Sequence, residues 1–181
     1  MAVIHQPITN AEVCHLFVTL QKVIENMLIR RADAKDLQVI NKLLYEVEDI
    51  HRVGRPDLFR VGAKKYTDYR LLEIFKDDST PVFVAEEEGI VLGYAFCQIQ
   101  EVKNEPSQID RKTLYLDDLC VDESARGKHV GSTLFSTLVD YARSIGCHNL
   151  TLHVWECNPS ARKFYESMGM KPMSTTMETV L

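Results

Sequence analysis

The sequence predicts a mixed α/β domain in which antiparallel strands come first and a parallel β-α-β unit follows. Two strand-like segments, 81–87 and 91–102, flank Glu88-Gly89, which is a turn signal. Further along, a strand near 113–121 and a strand near 149–155 are separated by apolar residues at helical spacing. The predicted order is therefore β, αα, βββ, αβαβ, which is typical of helices layered on a mixed sheet.

Length, composition and charge exclude several classes of protein. A chain of 181 residues with 45% hydrophobic residues is long enough for one domain with a substantial core. A net charge of −5 argues against a nucleic-acid partner. No apolar run is long enough to span a bilayer, and the N-terminus lacks the pattern of a signal peptide, so no membrane association is expected.

The cysteines indicate reduced thiols in a cytoplasmic protein. There are five of them, widely spaced and without a Cys-x-x-Cys pair, which argues against a disulfide framework or a structural zinc site. His148, His153 and Cys157 lie close in sequence, but their spacing matches no standard set of metal ligands. We therefore expect no metal.

The N-terminal part divides into an extension and the start of the working domain. Residues 1–26 carry apolar residues at helical spacing and predict an extra amphipathic helix. The domain proper is expected to occupy 27–181, opening with a short strand at 27–32. Asp33 can cap a helix that runs to about Asp49. A glycine- and proline-containing loop is expected over 51–62, followed by a second helix over about 63–76.

The C-terminal half has clearer signals for where its helices and strands begin and end. The strand at 113–121 leads into a glycine-bearing loop, and the helix that follows is closed by Gly146. After the strand at 149–155, Asn158 is positioned to cap a helix with Pro159 in its first turn and Gly169 just beyond its end. Residues 173–181 are expected to form a final strand.

The loop between the predicted strand at 113–121 and the helix that follows it has the character of an anion site. The first N–H groups of a helix lack intrahelical partners and lie at the positive end of its dipole. Gly127 and Gly131 allow a ligand to approach the backbone, while Arg126 and Lys128 add positive charge. An ordinary helix start with turn glycines is the alternative. Neither a Gly-Lys-Ser/Thr sequence nor a Gly-x-Gly-x-x-Gly sequence is present in this loop.

Two segments resemble the signatures of one enzyme family. Leu119-Cys120-Val121, followed by the run from Arg126 to Ser132 and by Leu134, resembles the acetyl-CoA signature of the Gcn5-related N-acetyltransferases (GNAT family). The run from Trp155 to Tyr165 resembles the second signature of the family, one helix and one strand downstream. The resemblance covers about residues 27–181. One departure is His129, which stands where the family usually has glycine.

The resemblance implies a fold, a co-substrate and a set of partners. The fold would be GNAT-like, a central mixed twisted sheet of six to seven strands flanked by about four helices, with the N-terminal helix added. Acetyl-CoA would be the co-substrate, and the partner an amine-bearing small molecule or peptide. A homodimer is also implied. The residues expected to bind the cofactor are Leu119, Cys120, Val121, Arg126, Gly127, Lys128, His129, Val130, Gly131, Ser132, Asn158, Ser160, Ala161 and Tyr165.

The resemblance also implies catalytic roles. Tyr165 is the candidate acid that protonates the departing thiolate, with a core aromatic as its alternative role. Asp117 is the candidate base, since Tyr115-Leu116-Asp117-Asp118 resembles a Tyr-Leu-Glu-Asp run of the spermidine/spermine acetyltransferase branch. Strand alternation predicts that Asp117 shares a face with Tyr115, Leu119 and Val121, opposite Asp118 and Cys120.

The acceptor is expected to be a small amine or a polyamine. Glu48, His51 and Asp118 are the candidate substrate-binding residues, with Arg52 and Asp57 as further polar groups of the same wall. A protein N-terminal or lysine acetyltransferase is one alternative, and a non-catalytic acetyl-CoA sensor is another. A thiol-dependent acyltransferase using Cys120 would need a histidine at recognisable spacing, which the sequence does not offer.

Overall fold

A computed structural model describes residues 27–181, which form one five-stranded sheet in the order β1-β2-β3-β4-β5. The strands are β1 (Met27–Arg31), β2 (Val82–Glu87), β3 (Ile90–Val102), β4 (Arg111–Val121) and β5 (Asn149–Leu152). The helices are α1 (Leu37–Gly54), α2 (Asp68–Ile74), α3 (Val130–Ser144) and α4 (Pro159–Ser167). Neighbouring strands are antiparallel, except that β4 and β5 are parallel. The helix predicted within 1–26 lies outside the described residues.

Both faces of the sheet are covered, because alternate strand residues meet different helices. In β2, Val82 and Val84 pack with α1 and α2, whereas Phe83 and Ala85 pack with α3. The core on the α1 side includes Ile40, Leu43, Leu44, Leu71, Tyr94, Phe96 and Cys120, and the core on the α3 side includes Leu114, Leu116, Val130, Leu134, Phe135 and Leu138.

The first two helices differ from their predicted bounds. The Asp33 side chain does act as a cap, accepting a hydrogen bond from Lys35 N–H at the start of a 3-10 turn (Ala34–Asp36) that runs into α1. However, α1 continues past Asp49 to Gly54, so the predicted loop 51–62 begins late. Helix α2 is shorter than predicted because Thr67 caps it, accepting a hydrogen bond from Arg70 N–H.

The sheet has fewer strands than expected. Strand β5 ends at Leu152 rather than near Trp155, and residues 173–181 form no strand in the part of the chain that the structure describes. The pattern in 173–181 suits a strand, but a strand needs a partner edge for its ladder of hydrogen bonds. Met173, Met177 and Val180 stay exposed, and Glu178 bonds to Arg55 at the end of α1.

A β-bulge in β4 changes which face its residues occupy. Asp118 pairs with Phe96 and Leu116 pairs with Cys97, which leaves Asp117 as an extra residue in β4. The predicted simple alternation is therefore wrong. Before the bulge, Leu114 and Leu116 pack on the α3 side, and after it Leu119 and Val121 do so, while Cys120 packs on the α1 side.

Candidate active site

A gap opens between β4 and β5 where their pairing stops. The two strands pair only from Thr113 to Leu116 and from Asn149 to Leu152, but β4 continues to Val121. The Asp122 N–H donates to the Leu92 carbonyl of β3 at 2.9 Å. Because bonded and non-bonded pairs alternate along an antiparallel ladder, Leu119 and Val121 direct their N–H groups away from β3, towards the gap.

Cys120 does not present a group to this gap. Its backbone faces β3 by the same alternation, and its thiol is buried in the core on the α1 side. Burial is the main cause that raises the pKa of the Cys120 thiol to about 12, with the negative charge of Asp118 as the next cause. This side chain is therefore a neutral core group, unlike the other candidates on the strand.

The glycine-bearing loop lies between the end of β4 and the first turn of α3. A 3-10 turn (Glu123–Ala125), capped by the Asp122 carboxylate, leads into it. Arg126 and Lys128 are exposed. The Thr133 N–H donates to the His129 carbonyl, closing the first helical turn. The N–H groups of Val130, Gly131 and Ser132 precede that bond and have no acceptor within the helix, as an anion site requires.

The backbone at His129 adopts a conformation that favours glycine. Gly127 has a φ of 79° and His129 a φ of 62°, both in the left-handed region. A residue with a Cβ pays about 1–2 kcal/mol for this conformation, whereas glycine does not. The His129 side chain is exposed. His129 is thus tolerated as the N-cap residue of α3 rather than favoured there.

Helix α4 forms the other wall of the gap. The side-chain oxygen of Asn158, Oδ1, accepts from Ala161 N–H at 3.1 Å and from the Ser160 hydroxyl at 2.9 Å, so Asn158 caps the helix as predicted. Pro159 occupies the first turn, and Gly169 has a φ of 87° beyond the end. The backbone N–H of Asn158 donates to the Trp155 carbonyl, whereas its side-chain nitrogen, Nδ2, is left for a ligand in the gap.

The cleft below the gap brings most of the catalytic and substrate candidates together. It has a volume of about 330 Å³, at the lower end of the range for small-molecule sites. Arg52 and Asp57 do not line it, because Arg52 pairs with Asp49 and Asp57 with Arg55. The predicted residues that do line it are Glu48, His51, Asp117, Asp118, Leu119, Asn158, Ala161 and Tyr165.

Asp117 is already engaged by two neighbours. Its carboxylate lies 2.8 Å from the Lys65 ammonium and accepts a hydrogen bond from the Tyr66 hydroxyl. Lys65 also donates to the Asp117 carbonyl at 3.1 Å. The phenol pKa of Tyr66 is raised, first by burial and then by its bond to Asp117, so it stays a donor. These contacts hold the Asp117 carboxylate in a fixed position.

Asp118 is in a different electrostatic setting. Its carboxylate accepts a hydrogen bond from the Tyr94 hydroxyl at 3.1 Å. Burial is the largest effect and raises the pKa of Asp118 to about 6, whereas Lys65 and Tyr94 act to lower it. The bulge brings Asp118 to the same side as Asp117, contrary to the prediction from simple alternation.

Tyr165 lies on α4 against Phe135 of α3, with ring centroids 6.2 Å apart. Its phenol pKa is raised, mainly by burial and secondarily by the charge of Asp118. The hydroxyl therefore stays protonated at neutral pH. Both predicted roles, core aromatic and proton donor, agree with this environment.

Residues 44–170 match the model of the acetyltransferase (GNAT) family. This stretch is more than half of the chain and contains the loop, the gap and α4. The chain belongs to the GNAT family. A mutant protein from Bacillus halodurans shares the GNAT-like fold, with a TM-score of 0.82 and 29% identity over 85% of this chain and 99% of that chain. An aminoglycoside N-acetyltransferase in complex with CoA has a TM-score of 0.61 at 17% identity, over 86% of this chain and 94% of that one.

The curated relatives of this GNAT protein match over shorter segments. An uncharacterised N-acetyltransferase of Methanocaldococcus jannaschii is 25% identical over 115 residues, which are 64% of this chain and 50% of that protein. A glucosamine 6-phosphate N-acetyltransferase of Arabidopsis thaliana is 33% identical over 66 residues, which are 36% of this chain and 42% of that protein. The chain thus spans about half the length of these two relatives.

Several residues of the GNAT cleft were not predicted from the sequence. Lys65, Phe59, His153 and Trp155 line it, and the Tyr115 hydroxyl lies 3.2 Å from His153 Nδ1. Phe59 and Lys65 sit on the segment between α1 and α2, where no periodic pattern indicates which side chains point inwards. Trp155, by contrast, opens the second signature, and as the chain's one tryptophan it could have been singled out.

Within residues 27–181, no group of three or more His, Cys, Asp or Glu side chains is arranged to hold a metal ion. No helix in that range is both long and apolar enough to cross a lipid bilayer.

Proposed function

We propose that this GNAT protein transfers the acetyl group of acetyl-CoA to the primary amine of a small acceptor, a small amine or a polyamine. One observation carries the proposal: the gap between β4 and β5 runs from the anion-binding loop to a cleft that holds Tyr165, Asp117 and Asp118. A loop and a gap alone would bind the cofactor. Proton-transfer groups at the inner end of the gap are needed only for chemistry.

Acetyl-CoA fits the polar groups that this chain supplies. Its pyrophosphate would be held by the first N–H groups of α3, together with Arg126 and Lys128. Its pantetheine arm is a chain of amides, and the outward N–H groups of Leu119 and Val121 offer the donors that such an arm needs. A donor beside the thioester oxygen would also stabilise the negative charge that develops during attack.

The reaction in this arrangement is a direct transfer. An ammonium gives its proton to a carboxylate, and the free amine attacks the thioester carbon. A carbon–nitrogen bond forms and the carbon–sulfur bond breaks. The departing thiolate takes the proton of the Tyr165 hydroxyl, and the phenolate recovers the second proton that the attacking nitrogen loses as the amide forms, while the proton held by the carboxylate passes to water. No acyl-enzyme forms, and the buried thiol of Cys120 supports this because it stays protonated.

We assign the base role to Asp118 in place of the sequence-based candidate Asp117. Asp117 is fixed by Lys65 and Tyr66, so protonating it would break an ion pair. Asp118 has one hydroxyl partner, and its pKa of about 6 is closer to working pH than that of an ordinary aspartate. Asp117 then positions Lys65 and Tyr66 at the edge of the cleft.

Turnover of acetyl-CoA with a panel of amines and short peptides tests the proposal, with release of free thiol as the readout. We expect acetylated amine and no acetylated protein by mass spectrometry. Tyr165→Phe keeps the ring and should lower kcat by about 100-fold while acetyl-CoA binding is preserved. Tight acetyl-CoA binding without turnover of any acceptor would instead identify a sensor, and preferential turnover of peptides would identify a protein acetyltransferase.

The cytoplasmic location, predicted from the cysteines, and the homodimer, implied by the family resemblance, both stay predictions. Size-exclusion chromatography coupled to light scattering measures the second directly.

A further inference from the structure

Three aromatic rings form one wall of the cleft, which we call the ring wall: His51 of α1, Phe59 of the following segment and Trp155 after β5. Their centroids are mutually close, at 5.3 Å for His51 and Phe59, 5.4 Å for Phe59 and Trp155, and 6.3 Å for His51 and Trp155. Trp155 keeps 39% of its surface exposed although it packs against Phe59. Two neighbouring positions, His51 and Phe59, thus converge with Trp155, about a hundred residues later, to present ring surface to the cleft.

The ring wall carries no positive charge at neutral pH. Burial is the main effect that lowers the pKa of His51, and the nearby Lys65 lowers it further. Neutral His51 therefore behaves as a third aromatic ring. A surface of this kind attracts a flat apolar group, and it does not repel an ammonium elsewhere in the cleft.

The charged groups of the cleft do not suit a phosphorylated sugar. Among the described residues that line it, Lys65 is the only lysine or arginine, and it is held by the Asp117 carboxylate at 2.8 Å. A phosphate monoester would need a cation that is not already paired. The glucosamine 6-phosphate acetyltransferase matched above therefore does not indicate the acceptor of this chain.

The size of the cleft limits the acceptor further. Its volume is about 330 Å³, and Leu119, Asn158, Ala161 and Tyr165 at one end belong to the proposed cofactor path. The space left beside the ring wall is therefore small, since the whole cleft is close to the roughly 300 Å³ at which small-molecule sites begin.

We propose that the ring wall binds the non-reacting part of the acceptor, and that this part is an aromatic ring joined to the amine by a short alkyl link. The inference rests on the proposed function for the direction in which the amine points. The amine faces Asp118, and the ring stacks on Trp155 and Phe59. An arylalkylamine is accordingly the substrate class.

Binding of the ring is measurable without catalysis, because Trp155 is the only tryptophan of the chain. We expect phenethylamine to change the tryptophan fluorescence of the CoA-loaded protein saturably, whereas ethylamine, which lacks the ring, changes it far less. Equal responses to the two amines at matched concentration would overturn the assignment, whatever the enzyme's activity.

Turnover provides the second measurement. We expect kcat/KM for phenethylamine to exceed that for ethylamine by about tenfold or more. Phe59→Leu keeps an apolar side chain but removes a ring, and it should reduce this preference by about threefold to tenfold. Phe59→Tyr keeps the ring and should retain the preference. Tyr69→Leu is the matched control, since Tyr69 is 73% exposed and does not line the cleft.

The outcomes separate this inference from the proposed function. A saturable fluorescence change with phenethylamine but no turnover of any amine supports the ring wall and refutes the acetyltransferase activity. Putrescine, a diamine, could instead give a higher kcat/KM than phenethylamine, with no change in this ratio in Phe59→Leu. That result supports the acetyltransferase activity and refutes binding of the acceptor by the ring wall.

Discussion

The assignment of the base to Asp118 makes a prediction about the pH dependence of turnover. A carboxyl group must be ionised to accept a proton, so activity is lost as the pH falls through its pKa. With a pKa of about 6, roughly nine tenths of Asp118 is ionised at pH 7 and one tenth at pH 5. We therefore expect kcat to fall by about tenfold between these two pH values at saturating substrates.

Substitution of the two aspartates separates their roles. Asp118→Asn removes the base, so it should lower kcat by about 100-fold to 10,000-fold. It should also abolish the fall of kcat at acidic pH, which is the acidic limb of the pH profile. Asp117→Asn should keep the limb and move it to lower pH, because the charge of Asp117 raises the pKa of Asp118. The Tyr94 hydroxyl stabilises the ionised carboxylate, so Tyr94→Phe should move the limb to higher pH.

The measurement is an initial-rate profile by thiol release, with circular dichroism at each pH to exclude unfolding. The charged and titratable groups around Asp118 are Lys65, Asp117, Glu48, Tyr66, Tyr94, Cys120 and Tyr165. A profile in which Asp117→Asn abolishes the acidic limb, while Asp118→Asn retains it, would refute the assignment and restore the sequence-based candidate.

Further predictions concern the loop and the sheet. His129→Gly relieves the left-handed strain at φ 62°, and we expect about 1 kcal/mol of stabilisation, a rise in Tm of roughly 2–4 °C, with acetyl-CoA affinity preserved or improved. His148→Gly is the control for stability, since His148 has no positive φ and glycine there should destabilise the protein. A large loss of acetyl-CoA affinity in His129→Gly would show that the imidazole contacts the ligand. Gly93→Ala places a Cβ 2.7 Å from the Cys120 carbonyl oxygen, so denaturant unfolding should show a loss of about 1–3 kcal/mol. Gly131→Ala, whose Cβ meets the Phe164 ring at 3.4 Å, should cost clearly less, and equal losses would contradict the steric explanation.

Local signals in the sequence predicted the parts of the site that depend on a few neighbouring residues. Asn158 and Pro159 mark the start of α4 because capping is settled within one helical turn. The position of the loop from Arg126 to Ser132 was predicted in the same way, from neighbouring glycines between a strand and a helix. The GNAT-like fold also followed, since two signatures at the right separation specify the strand, helix and strand between them.

Long-range pairing accounts for what the sequence did not predict. The bulge at Asp117 exists only relative to β3, so no periodicity within β4 reveals it. The segment 173–181 has a strand-like pattern, but its state depends on a partner edge rather than on its own residues. The ring wall joins His51, Phe59 and Trp155 across about a hundred residues, and only the folded chain brings them together.

The gap between β4 and β5 should also be detectable by amide hydrogen–deuterium exchange. Along one short stretch of strand, the amides of Cys120 and Asp122 are bonded to β3, whereas those of Leu119 and Val121 face the gap. In deuterated buffer the free protein should therefore show slow and fast exchange at alternate residues. Occupation of the gap by coenzyme A would slow exchange of the Leu119 and Val121 amides alone. Exchange at the end of β4 therefore reports whether the cofactor path is occupied.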